Sequence, residues 1–268
     1  VSLPCPATQA ARERSRVLVS LALAAGLAWI VLAVGRESVA IPAICSAAVI
    51  WSAPSADLYL SVFAVVSPLT LAAGWVVMVC AMMLPTVYDP LIHVRQQNFR
   101  HLRPWCTLLF IGGYIAVWTL AGVIFLNFAL AVQMALHGAS WLLILSLVVA
   151  SIWQISPWKQ MALNKCHHRP SMAAFAPTAY HNAFSLGVQH CLWCIANCWA
   201  LMLMTLFAPA YHVAIMAIVA FCIWAERIEA PRAPGWQIRV PTKALRLIAL
   251  IARTPVASAS KQPANVNC

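Results

Sequence analysis

The chain has 268 residues, of which 63% are hydrophobic and only 9% charged. A water-soluble domain carries about a quarter charged residues, so this composition excludes one and points to an all-α, polytopic membrane bundle. The formal charge of +11 would suit nucleic acid, but the placement of the charges assigns it to membrane topology, and no nucleic-acid-binding module is visible.

Six apolar segments follow one another, at about 17–35, 69–87, 106–130, 141–158, 183–207 and 210–226. The first comes after Arg12, Arg14 and Arg16, in a basic arm over residues 1–16 that resembles the start of a signal peptide. Its apolar run is too long for a signal core and lacks a small-residue cleavage site, so a retained helix is expected. Residues 37–67 are apolar but contain Pro42, Pro54 and Asp57. They read as an outer-surface or re-entrant segment, with two further short crossings left open. Residues 131–139, around Gln133 and His137, read as a short outer turn.

Charge placement tests this count. With the N-terminus inside, sixteen of the seventeen Lys and Arg fall on the inner side, leaving only Arg36 outside. Six spans (17–228) with both termini cytoplasmic are therefore expected, followed by a cytoplasmic tail (229–268). Within that tail, Lys243, Arg246 and Arg253 share one face of a helix predicted over 242–253, with Leu and Ile around the rest. That is the pattern of an amphipathic helix on an anionic leaflet. Residues 254–268 read as disordered.

The fifth segment carries the densest chemistry. At about 100° per residue, Cys191, Cys194 and Cys198 fall at roughly 0°, −60° and −20° around the axis. Gly187 and Met202 lie within about 40° of that line, and His190 and Asn197 flank it. Thiolate and thioether are soft donors that select Cu(I) over hard cations. A bland reading stands beside this one: free Cys is a small buried hydrophobe, and small residues let membrane helices approach closely.

The second segment reads Gly74-Trp75-Val-Val-Met78-Val-Cys80-Ala81-Met82-Met83-Leu84-Pro85, with Asp89 and His93 after it. The loop after the fourth segment carries Cys166-His167-His168. By topology these sets and Cys191 and Cys194 converge on the inner side. His212 and Met216, four apart, are a further soft pair or mere packing, and Glu226 beside Arg227 reads as an interfacial ion pair.

Ala81-Met82-Met83-Leu84-Pro85, Trp153-Gln154-Ile-Ser156-Pro157-Trp158-Lys159, Gly187…His190-x-x-x-Cys194-x-x-x-Cys198-Trp199-Ala-Leu-Met202 and Trp224-Ala-Glu226 occur in that order. Over roughly residues 17–228 the chain resembles the bacterial family of predicted metal-binding integral membrane proteins often labelled copper chaperones. The resemblance implies a bacterial inner-membrane protein with copper as its cargo. It also exposes departures. Asn197 stands where the family has the first Cys of a Cys-Cys-Trp, Cys191 where it has Gly, and Ala162 where it has an earlier Cys.

Three functions follow as alternatives. The first is soft-metal binding at Cys191, Cys194, Cys198, His190 and Met202, with Cys166, His167 and His168 as the capturing set and Met82 and Met83 nearby. Cu(I) ranks first and zinc second, since zinc prefers a closed Cys/His tetrahedron. The second is a membrane thiol–disulfide oxidoreductase built on Cys191-Leu-Trp-Cys194. The third is a non-catalytic helical subunit or assembly factor. The first reading expects no enzyme, with the bilayer and a membrane or copper-protein partner as its contacts.

Overall fold

The computed structural model describes residues 6–34, 68–136, 141–173, 175–208, 212–238 and 241–253. Among these residues every regular element is helical: α1 (Pro6–Val34), α2 (Pro68–Met83), a 3-10 turn (Leu84–Val87), α3 (Tyr88–Gln97), α4 (Arg103–Ala135), α5 (Trp141–Ile155), α6 (Pro157–Cys166), α7 (Thr178–Leu206), α8 (His212–Ile228) and α9 (Thr242–Arg253). The expectations for residues 37–67, His137 and 254–268 fall outside the described residues.

Among the described residues four runs are long and apolar enough to cross a membrane: Ala10–Val34, Ala72–Gln97, Arg103–Ala135 and Thr178–Leu206. The α5–α6 pair makes a fifth if it is one span bent by 67°. The sixth predicted segment is α8, whose 17 residues rise about 26 Å against a hydrocarbon thickness of about 30 Å. Surfaces follow the lipid pattern. Leu23, Leu27, Ile124, Ile144 and Ile218 are exposed while Lys159, Gln133 and Asn197 are fully buried, the inversion that a bilayer solvent demands.

Three boundaries differ from the sequence reading. The basic residues from Arg12 to Arg16 continue α1. Helix α4 runs through 131–135, where a turn was expected, and buries Gln133 on its inner face. The segment predicted as one helix over 141–158 is broken at Ser156, which is extended at φ −70° and ψ 147°. Pro157 supplies the reason: its ring disfavours helical backbone at the preceding residue and removes a donor. Ser156 then caps the new helix by accepting from the Lys159 amide at 3.2 Å.

Helix α7 packs chiefly on α4, and also on α5, α6 and α8. Glycine makes the α4–α7 approach possible. A Cβ on Gly187 would stand 2.3 Å from the Phe110 carbonyl oxygen, and one on Gly113 2.9 Å from that of Phe184. Gly122 does the same for α2, since a Cβ there would meet the Trp75 indole at 2.3 Å. Small residues let backbones close up where lipid supplies no hydrophobic drive between helices.

The segment after α8 runs back over the α5–α6 break. The Gln237 amide donates to the Ile155 carbonyl at 3.3 Å. Asn164 donates to the Arg232 carbonyl at 2.7 Å and accepts from its amide at 3.3 Å. Helix α9 begins where the Lys243 amide donates to the Glu229 carboxylate at 2.6 Å. Its Leu245, Leu247 and Leu250 are exposed and Ala244 is buried, so the amphipathic tail helix lies where the sequence placed it.

Candidate metal site

The sulfur stripe of α7 points inward. Cys191, Cys194, Cys198 and Met202 are all fully buried, because the face they share is the one that packs on the neighbouring helices. The Cys194 Sγ lies 3.3 Å from the Tyr114 hydroxyl on α4, and either group can donate. Cys191 lies against the backbone of Trp118, one turn further along α4. Cys198 turns back on its own helix, its thiol donating to the Cys194 carbonyl at 3.0 Å. Met202 continues the ladder toward the C-terminal end of α7.

Arg227, in the last turn of α8, completes this cluster. Its guanidinium lies near the thiols of Cys194 and Cys166, close enough to act on them electrostatically. Its Nη2 also donates to His190 Nε2 at 3.3 Å. Because arginine has only donors to offer, that contact makes His190 Nε2 the unprotonated nitrogen. The imidazole is wedged between Phe110 and Tyr114, with ring centroids 6.2 and 6.1 Å away. The Nε2 lone pair that would bind a metal is thus occupied by Arg227. Among the described residues Arg227 has no carboxylate within ion-pair distance, and its buried Nε has no hydrogen-bond partner.

The inner loop set divides. Cys166 ends α6 buried and joins Arg227. His167 places its two ring nitrogens on backbone carbonyls, Leu163 at 2.9 Å and Arg227 at 3.2 Å. His168 is exposed. Adjacent residues at a helix end leave it in directions about 100° apart, so three in a row do not share one target. They do share a cavity of about 670 Å³ that Asp89, Trp224 and Arg227 also line. It leads to the Cys166 and Arg227 side chains.

Met82 and Met83 are fully buried on α2, whose main neighbours are α1, α4 and α8. The Trp224 indole donates to the Met82 carbonyl at 2.6 Å and the Thr86 hydroxyl to that of Met83 at 2.7 Å. The first of these bonds fixes the α2 backbone against α8, and the second closes the end of α2 on itself. At the start of α8 His212 sets Nδ1 on the Thr205 carbonyl at 3.0 Å and buries an unpartnered Nε2, with Met216 fully buried on the same helix. Among the described residues no three His, Cys, Asp or Glu side chains converge so as to hold a metal ion. The donors form a ladder and not a closed cage.

Three participants escaped the sequence reading. Tyr114 gave no signal, being one aromatic in a long apolar helix. Arg227 looked like an ordinary inner-side cation. Glu226 looked like its partner, whereas the structure pairs Glu226 with Lys159, Oε2 to Nζ 2.6 Å, and Lys159 is fully buried rather than a loop cation. Gln154 joins them, donating to Glu226 at 2.7 Å and accepting from Lys159. The i, i+5 spacing of Gln154 and Lys159 across a Ser-Pro step was the available clue.

Compared with curated proteins and with solved structures, the chain has no match. The family model described as PpoB2, copper chaperone, matches residues 72–251. That stretch holds every donor of the sulfur ladder, Arg227 and most of the α9 helix, and by it the chain belongs to the PpoB2 copper chaperone family.

Proposed function

We propose that the protein is a multi-pass membrane carrier of Cu(I), with six spans, both termini cytoplasmic and a place in the bacterial inner membrane. The observation that carries this reading is the burial of three thiols and a thioether on one face of α7, with Arg227 set among them. Cu(I) is satisfied by two or three soft ligands, so a ladder of sulfur pairs serves it where zinc would require a closed tetrahedron. Two thiolates and one Cu(I) leave a net charge of −1, and the Arg227 guanidinium offsets it. Binding must displace protons from the thiols, so affinity falls as pH falls.

The ion enters by the cavity at Cys166 and is exchanged to Cys194 and Cys191. Cys198 and Met202 receive it further along α7. His190 becomes a ligand when Arg227 releases its Nε2 and turns to the thiolates. No covalent chemistry is needed, and the protein acts as a carrier and not as an enzyme. The experiment is anaerobic purification followed by elemental analysis of wild type and Cys191→Ser/Cys194→Ser. Wild type is expected to retain copper and the variant to lose most of it. Equal copper in both removes the assignment.

A further inference from the structure

A second polar site lies away from the sulfur ladder, where α1, α3 and α4 meet. Glu13 on α1 accepts from Arg95 of α3 at 3.0 Å and from Arg103 of α4 at 2.7 Å, which ties three helices together through one carboxylate. Arg95 is further held by the Thr107 hydroxyl at 3.3 Å, and Arg103 by the Asn98 carbonyl at 3.2 Å. Around this fixed core is a cavity of about 570 Å³, lined by Arg12, Glu13, Arg16, Arg95, Arg100 and Arg103. Five guanidinium groups thus face one carboxylate whose two oxygens are already engaged. Among the described residues Arg12, Arg16 and Arg100 form no ion pair. The 33-residue α4 starts at the cavity's edge with no side chain capping it, so its dipole adds positive potential.

We propose that this cavity binds the phosphate of an anionic phospholipid headgroup. Guanidinium forks match phosphate geometry, and a cluster of them with one carboxylate retains a large excess of charge for an anion. The surroundings favour a lipid over a soluble phosphate. Trp105 and Leu108 of α4, and Leu18, Val19 and Leu23 of α1, are exposed within two turns of the lining arginines. A headgroup seated in the cavity would lay its acyl chains along that apolar surface, as basic pockets between membrane helices do on the inner leaflet. The inference rests on the membrane reading above and is independent of copper.

The test uses the full chain in nanodiscs of phosphatidylcholine with or without phosphatidylglycerol, followed by native mass spectrometry of the retained lipid. Wild type is expected to keep phosphatidylglycerol selectively. Arg12→Gln/Arg16→Gln/Arg100→Gln, which spares the Glu13 bridge, should lower that retention by about tenfold or more. Lys165→Gln/Arg169→Gln, removing charge elsewhere, should leave it unchanged. Equal retention in wild type and the triple variant overturns the proposal, as does an equal loss in the control. Inorganic phosphate that binds wild type while phosphatidylglycerol is not retained also overturns it, by reassigning the cavity to a soluble anion. Failure of the chain to enter nanodiscs sinks the membrane reading with it, whereas insertion without headgroup selection sinks this inference alone.

Discussion

Glu226 and Arg227 are neighbours on α8, yet they serve two differently built regions. Glu226 turns to α6 and closes a knot with Lys159 and Gln154, in which a fully buried ammonium meets a carboxylate at 2.6 Å. Arg227, half-buried, turns to α7, where it donates to His190 and, among the described residues, meets no carboxylate. A buried charge needs its opposite, and the first region has it, whereas the Arg227 guanidinium lines the cavity of about 670 Å³ without a carboxylate beside it among the described residues. Arg227 gains its counter-charge when thiols ionise, which is what binding a soft cation makes them do. The knot is scaffold; in the proposed carrier the cluster is the part that receives the ligand.

The comparison can be broken hardest at the knot. Glu226→Gln strands Lys159 in the interior and should cost about 3–5 kcal/mol of stability, read as a lowered unfolding midpoint in detergent. Lys159→Met/Glu226→Gln should recover most of that loss, because an apolar replacement removes the stranded charge. A double variant no more stable than Glu226→Gln would show that the pair is not what holds α6 to α8.

The cluster should respond in affinity more than in stability. Arg227→Ala removes the compensating charge and should weaken Cu(I) binding by about 2 kcal/mol, or more than tenfold, judged from charge-assisted hydrogen bonds. Competition against a chromophoric Cu(I) chelator reads this. An unchanged affinity would reduce Arg227 to a packing residue. Tyr114→Phe deletes one hydrogen bond to Cys194 and should weaken binding by about 1 kcal/mol, seen in the same assay. His168→Ala, at the exposed mouth of the inner cavity, should leave the equilibrium affinity within about 0.5 kcal/mol of wild type and alter only the rate of loading, measured by stopped-flow transfer from a Cu(I) donor.

What the sequence made legible follows the helical period. Cys191, Cys194, Cys198 and Met202 share a face at 100° per residue, and that face is buried because it is the one that meets α4. Which atoms it meets was not legible, since periodicity names a face and not its neighbour. Lys159 and Arg227 were misread for a common reason: the inner-side excess of Lys and Arg places a residue on one side of the bilayer, but not the direction in which its long side chain folds. Ser156-Pro157 carried a clear helix-start signal, masked by the apolar residues on both sides. The span count depends on marginal lengths, α8 being 17 residues and α5–α6 being bent by 67°.

The segment that doubles back over the α5–α6 break has a mechanical consequence. The Gln237 amide sews the stretch following α8 onto the end of α5, and the Asn164–Arg232 pair sews it onto the helix that ends in Cys166. Clipping the backbone between Arg232 and Gln237 would therefore loosen the platform on which the first thiol stands, though no ligand is touched. The tail acts as a stitch holding the doorway in shape, and limited proteolysis there should blunt metal uptake before it unfolds the bundle.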